Sequence, residues 1–71
     1  KDIEINPLDS MAYNYKGNAL HGLNKFEEAI RYFDSAIKIN PNYPSAYINI
    51  AFTLNYLNKY DKAHEFYIKA I

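Results

Sequence analysis

The sequence predicts an all-α fold, an α-solenoid of antiparallel helix–turn–helix repeats, with about two repeats in 71 residues. Three observations lead there. The chain matches itself when shifted by 34 residues: Ala12, Tyr13, Leu20, Leu23, Asn24, Lys25, Ala29, Ala36 and Ile37 meet identical residues at 46, 47, 54, 57, 58, 59, 63, 70 and 71. A fixed period of this length marks architectures built from stacked supersecondary units. Within each period the apolar spacing is helical, and asparagine or proline interrupts it at regular points.

Ile3, Ile5, Asn6 and Pro7 fall on Ile37, Ile39, Asn40 and Pro41 under the same shift, so residues 1–9 read as the tail of a preceding repeat. Residues 10–43 form a first full repeat and 44–71 a second, truncated one. In the first helix, about 10–23, Tyr13, Gly17, Leu20 and Asn24 make a stripe, flanked by Ala12, Ala19 and Leu23. Asn24-Lys25 ends it, because asparagine tolerates the left-handed conformation of a helix C-terminus. The second helix, about 26–39, buries Phe26, Ala29, Ile30, Phe33, Ala36 and Ile37 on one broad face and turns Glu27, Glu28, Arg31, Asp34 and Lys38 outward. Asn40-Pro41 stops it. Pro44 suits the first turn of a third helix, about 44–57, and Asn58-Lys59 separates that from a fourth, about 60–71. Acidic Glu27, Glu28 and Asp61 sit in first turns, where the helix dipole favours them.

Small residues recur where paired helices must approach closely: Gly17 and Ala51 on the first helix of each pair, Ala29 and Ala63 on the second. Large residues fill around that contact. His64 is expected to pack on the apolar side of its helix, and His21 to be a solvated surface residue. Phe66, Tyr67, Ala70 and Ile71 are expected to face water at the open end.

Bulk properties exclude several functions. Eight basic and eight acidic residues cancel, so no charge excess recruits nucleic acid or an anionic membrane. No stretch is long and apolar enough for a transmembrane span. The absence of cysteine removes disulfides and thiolate metal sites, and His21 and His64 are too distant for a helical histidine pair. Gly17 and Gly22, the only glycines, both fall on the first helix, so no glycine-rich phosphate loop exists. No catalytic constellation, cofactor site or metal site is expected. The lack of cysteine and of glycosylation sequons fits an intracellular, cytoplasmic setting.

At this point the sequence resembles the tetratricopeptide repeat, whose pattern runs W-x2-L-G-x2-Y, then A-x3-F, A and P. Tyr13, Lys16, Gly17, Leu20, Ala29, Phe33, Ala36 and Pro41 match it in the first unit; Tyr47, Ile50, Ala51, Leu54, Ala63, Tyr67 and Ala70 match it in the second. Lys16 departs from the apolar preference at its position and is expected to carry its ammonium out to water. The resemblance implies a superhelix whose first helices line a concave groove that binds a peptide of another protein.

The groove positions implied are Met11, Asn14, Asn18 and His21 in the first unit, and Ser45, Ile48, Asn49, Phe52, Asn55 and Tyr56 in the second. Asn18 and Asn49 look like the asparagines of the carboxylate clamp known in this family, but Asn14 stands where the clamp has a lysine, and a carboxylate then lacks its charge-assisted partner. Residues 44–58 carry no charged side chain. Two explanations stay open: a groove for a neutral peptide with apolar or aromatic anchors, or coverage by a following repeat. Self-assembly is the competing function, because each unit buries its faces on neighbours. The isolated piece is expected to form a homo-oligomer or a helix-swapped dimer, hinged at Asn40–Tyr43 or Asn58–Lys59.

Overall fold

The computed structural model describes residues 7–71, and those residues form four helices: α1 (Pro7–Gly22), α2 (Phe26–Ile39), α3 (Pro44–Tyr56) and α4 (Tyr60–Ala70). The pairs α1/α2 and α3/α4 are antiparallel hairpins. The second pair stacks on the first mainly through α3 against α2, with a lighter contact between α3 and α1. The residues expected to belong to a preceding repeat lie, for positions 1–6, outside the described residues. Helix α1 begins at Pro7, three residues before the expected start, because proline lacks only an N–H that a first turn leaves unpaired anyway.

Both hairpin turns are built alike, and asparagine is the reason. Asn24 and Asn58 adopt φ of 65° and 63°. At the first turn Lys25 N–H donates to Leu20 C=O at 2.9 Å, and Asn24 N–H to His21 C=O at 2.9 Å. The second turn repeats this pattern, from Lys59 to Leu54 and from Asn58 to Asn55. These paired bonds satisfy carbonyls that the helix end would otherwise leave open. The chain then re-enters a helix directly, with no side-chain cap on Lys25 or Lys59, and Glu27, Glu28 and Asp61 complement the dipole from the first turn.

The core holds Ala29, Phe33, Ile50, Ala51, Leu54 and Ala63, with Leu20, Ile30, Ile37, Phe66 and Tyr67 packed against it. Phe33 is its largest wholly enclosed side chain. Gly17 exists to admit it: a Cβ there would lie 2.5 Å from Phe33 Cε1. At the far end of the hairpin, buried Ser10 donates its hydroxyl to Ala36 C=O at 3.1 Å, tying the first turns of α1 to the last turn of α2.

Two expectations, for His64 and for the open end, need correction. His64 is exposed rather than packed, because its counterpart one period back, Ile30, is covered by the next hairpin, whereas no described residue covers α4 in that way. Phe66 and Tyr67 are half-buried rather than turned to water, since both reach back toward α3: Phe66 lies 6.2 Å from the Tyr47 ring, and Tyr67 OH meets Asn55 Nδ2 at 3.4 Å. Ala70 is likewise half-buried, while Ile71 is exposed as expected. Lys16 is exposed, and its ammonium sits 5.3 Å from the centroid of Tyr32, whose ring also stacks on Tyr13.

Candidate functional site: the face of α1 and α3

Helices α1 and α3 lie side by side across the junction of the two hairpins, and a continuous polar chain joins them. Asn49 Nδ2 donates to Asn14 Oδ1 at 2.8 Å. The Asn49 carbonyl accepts from Thr53 Oγ1 at 2.8 Å. Thr53 Oγ1 in turn lies 3.0 Å from His21 Nδ1. A carbonyl can only accept and a threonine hydroxyl has one hydrogen. With the Thr53 hydroxyl hydrogen on the Asn49 carbonyl, Oγ1 is left to accept from His21 Nδ1. In that arrangement the neutral His21 ring carries its hydrogen on Nδ1 and Nε2 is an acceptor.

Around His21 three rings converge. Phe52 stacks on the imidazole at 5.2 Å with 24° between planes, while Tyr56 and Phe26 approach edge-on at 4.8 Å and 5.0 Å. Tyr56 also meets Phe26 and Phe52, each at 5.2 Å. Such offset and edge-to-face pairs contribute about 0.5–1.5 kcal/mol each beyond the area they bury. His21 is thus half-buried and locked by packing, not the solvated residue expected from the sequence. Phe52 and Tyr56 nevertheless keep 47% and 55% of their surface in water.

The expected groove residues divide accordingly. Met11, Asn18, Ser45, Ile48, Phe52 and Tyr56 are exposed and available to a ligand. Asn14 is 5% exposed and spent on Asn49, so it belongs to the structure of the groove floor. Asn49 is half-buried and gives one of its two amide hydrogens to the same bond. Asn55 turns toward α4 and Tyr67. Thr53 and Phe26 were not foreseen. Thr53 aligns with Ala19 under the 34-residue shift and stands out only as a departure from it.

Those departures are informative. The positions that repeat, Gly17/Ala51, Leu20/Leu54 and Ala29/Ala63, form the core. Asn14, Asn18, His21 and Gly22 align instead with Ile48, Phe52, Asn55 and Tyr56. Two surface hollows lie elsewhere: one of about 260 Å³ is lined by Asn24–Glu28 and Leu57, another of about 390 Å³ by Asn58–Lys62. They sit one period apart and follow from the turn geometry, not from a ligand site.

Among the described residues, no group of three or more histidines, cysteines or acids could hold a metal ion, and no helix is long and apolar enough to cross a membrane.

Comparison with known proteins places this arrangement in a family. Two tetratricopeptide repeat models match, over residues 10–43 and 32–65. The chain is 37% identical over 68 residues to the fly (Drosophila melanogaster) protein O-mannosyl-transferase Tmtc3, covering 96% of this chain and 7% of that protein. It is 34% identical over 59 residues to an uncharacterized protein of Methanocaldococcus jannaschii, covering 83% of this chain and 69% of the relative. It is 30% identical over 69 residues to the peroxisomal targeting signal receptor of Kluyveromyces lactis, covering 97% of this chain and 12% of the receptor. The chain thus spans only a small part of the transferase and the receptor. Transfer of mannose, named for the first, is a property of that whole protein, whereas repeats of this family are generally non-catalytic and mediate contacts between proteins. With two helix–turn–helix units of 34-residue period matched along most of its length, the chain belongs to the tetratricopeptide repeat family.

Proposed function

We propose that this chain is a protein-interaction module that binds a peptide segment on the face lined by α1 and α3. The carrying observation is the uncharged, partly aromatic surface of Ile48, Phe52 and Tyr56, held in place by a polar floor that is already hydrogen-bonded. Exposed apolar groups clustered on one face of a small protein mark interaction sites, and a pre-ordered floor lowers the entropy lost when a ligand binds. The similarity to a receptor named for a targeting signal supports the same reading. Catalysis has no residues assigned to it.

Peptides selected from a random display library against this chain provide the test. Phe52→Ala and Tyr56→Ala should each weaken them about 10- to 30-fold, the scale of truncating an aromatic interface anchor. Unchanged affinity in both variants, with loss on changing outward residues of α2 such as Arg31 or Asp34, would place binding on the other face and contradict the proposal. A second reading, self-association, draws on Tyr60, Ile68 and Ile71, all exposed on or just beyond α4. Its signature is a sedimentation mass that rises with concentration and that Phe52→Ala leaves unaltered.

A further inference from the structure

We infer that the groove takes a tryptophan side chain as its anchor, with the indole lying on Phe52 and Tyr56 and its N–H donating to His21 Nε2. The inference rests on the groove reading above and specifies its ligand. Its starting point is the His21 tautomer. Nδ1–H is committed to Thr53, so the neutral ring offers an acceptor at Nε2. Nε2 has no partner among the described residues, and no buried side-chain nitrogen or oxygen among them lacks one. Nε2 therefore opens to solvent.

Three packed rings and one hydrogen bond fix the direction of that acceptor. Its ring is flanked by Phe52 and Tyr56, both of which keep about half of their surface in water. The complement is a flat apolar group that carries a hydrogen-bond donor on its edge. Charge narrows the choice. The groove-facing residues of α1 (Met11, Asn14, Asn18 and His21) include no carboxylate, and α3 has no charged side chain at all. A guanidinium or ammonium would be desolvated here with no counter-charge, which is costly. A phenylalanine or leucine would cover the rings but leave Nε2 stripped of water and unpaired. Indole is neutral, donor-only and broad, and it answers both demands.

The positions concerned are those that break the 34-residue repeat. His21 aligns with Asn55, and Phe52 and Tyr56 align with Asn18 and Gly22. The aromatic shelf occurs once, at the α1/α3 junction.

The chain has no tryptophan, so indole fluorescence reports on an added peptide alone. The experiment titrates capped twelve-residue peptides of Gly, Ser and Asn with one central residue: tryptophan or 1-methyltryptophan followed by fluorescence, leucine or arginine followed by calorimetry. The wild-type chain should bind the tryptophan peptide about tenfold more tightly than the 1-methyltryptophan peptide, the scale of one hydrogen bond. In His21→Phe, which keeps a stacked ring but has no acceptor, that preference should fall to near unity. A penalty caused by the bulk of the methyl group would persist in the variant and would overturn the inference. Nitrogen-15 spectra of the imidazoles should independently show His21 protonated at Nδ1 in its neutral form; protonation at Nε2 would remove the acceptor and the inference with it. Equal binding of the leucine peptide, lost in Phe52→Ala, would overturn the indole assignment while leaving the groove standing. Tightest binding of the arginine peptide would overturn it in favour of a cation. If no peptide in the set binds, the indole anchor is wrong, and the groove is judged separately by the library-selected peptides.

Discussion

Phe33→Ala should cost about 3–5 kcal/mol, the range for removing a large aromatic from a packed core. A domain of this size has a total stability of only about 4–10 kcal/mol on the usual per-residue scale, so the variant should be largely unfolded or close to it. The reason is position. Phe33 is wholly enclosed, and its ring lies under Gly17 while its neighbours include the core residues of both hairpins. Urea denaturation followed by circular dichroism at 222 nm measures the effect as a fall in midpoint. Tyr67→Ala changes the equivalent residue one period later. It should cost less than half as much, because Tyr67 is half-buried and already in contact with water. Equal losses at the two positions would mean that enclosure of the side chain does not set the cost.

Gly17→Leu should be nearly as damaging, at about 3 kcal/mol, from the opposite error. Two effects compete. Leucine in place of glycine inside a helix gains about 1 kcal/mol of intrinsic propensity. Against it stands a Cβ that would meet the Phe33 ring at 2.5 Å, before the rest of the side chain is placed. Phe33 is closed in and has nowhere to swing, so overpacking wins. The second hairpin shows why the position is not glycine by habit: Ala51 occupies it there, opposite Tyr67 rather than Phe33. A chain carrying both Gly17→Ala and Phe33→Leu should recover stability relative to Gly17→Ala alone, because the smaller residue opens the space. Thermal unfolding of the three variants separates the outcomes, and a Gly17→Leu protein as stable as the wild type would show that α1 and α2 can part without loss.

The architecture was legible because this fold is written in short-range chemistry. Asn24 and Asn58 announce the left-handed turns, Pro44 a first turn, and Gly17 with Ala29 the close approach of one helix pair; each of these signals lies within a few residues of the feature it causes. The site was legible only in outline. The exposed faces of Asn18, Ile48, Phe52 and Tyr56 follow from helical periodicity alone. Asn14 and His21 have the same periodicity, but their fate depends on Asn49 and Thr53, more than thirty residues away on another helix. Pattern reading along one helix cannot see a partner on the next. His64 was misplaced for a related reason: an apolar face predicts burial only where some element lies over it.

The most direct measurement is amide chemical-shift mapping of the chain as a library-selected peptide is added. The account predicts the largest changes at Asn18, His21, Ile48, Phe52 and Tyr56, across the junction of α1 and α3, with little change at Glu27, Arg31 and Asp34 on the outer face of α2. Changes concentrated on those α2 residues, or on Tyr60 and Ile68 of α4 with the α1/α3 face silent, would contradict it.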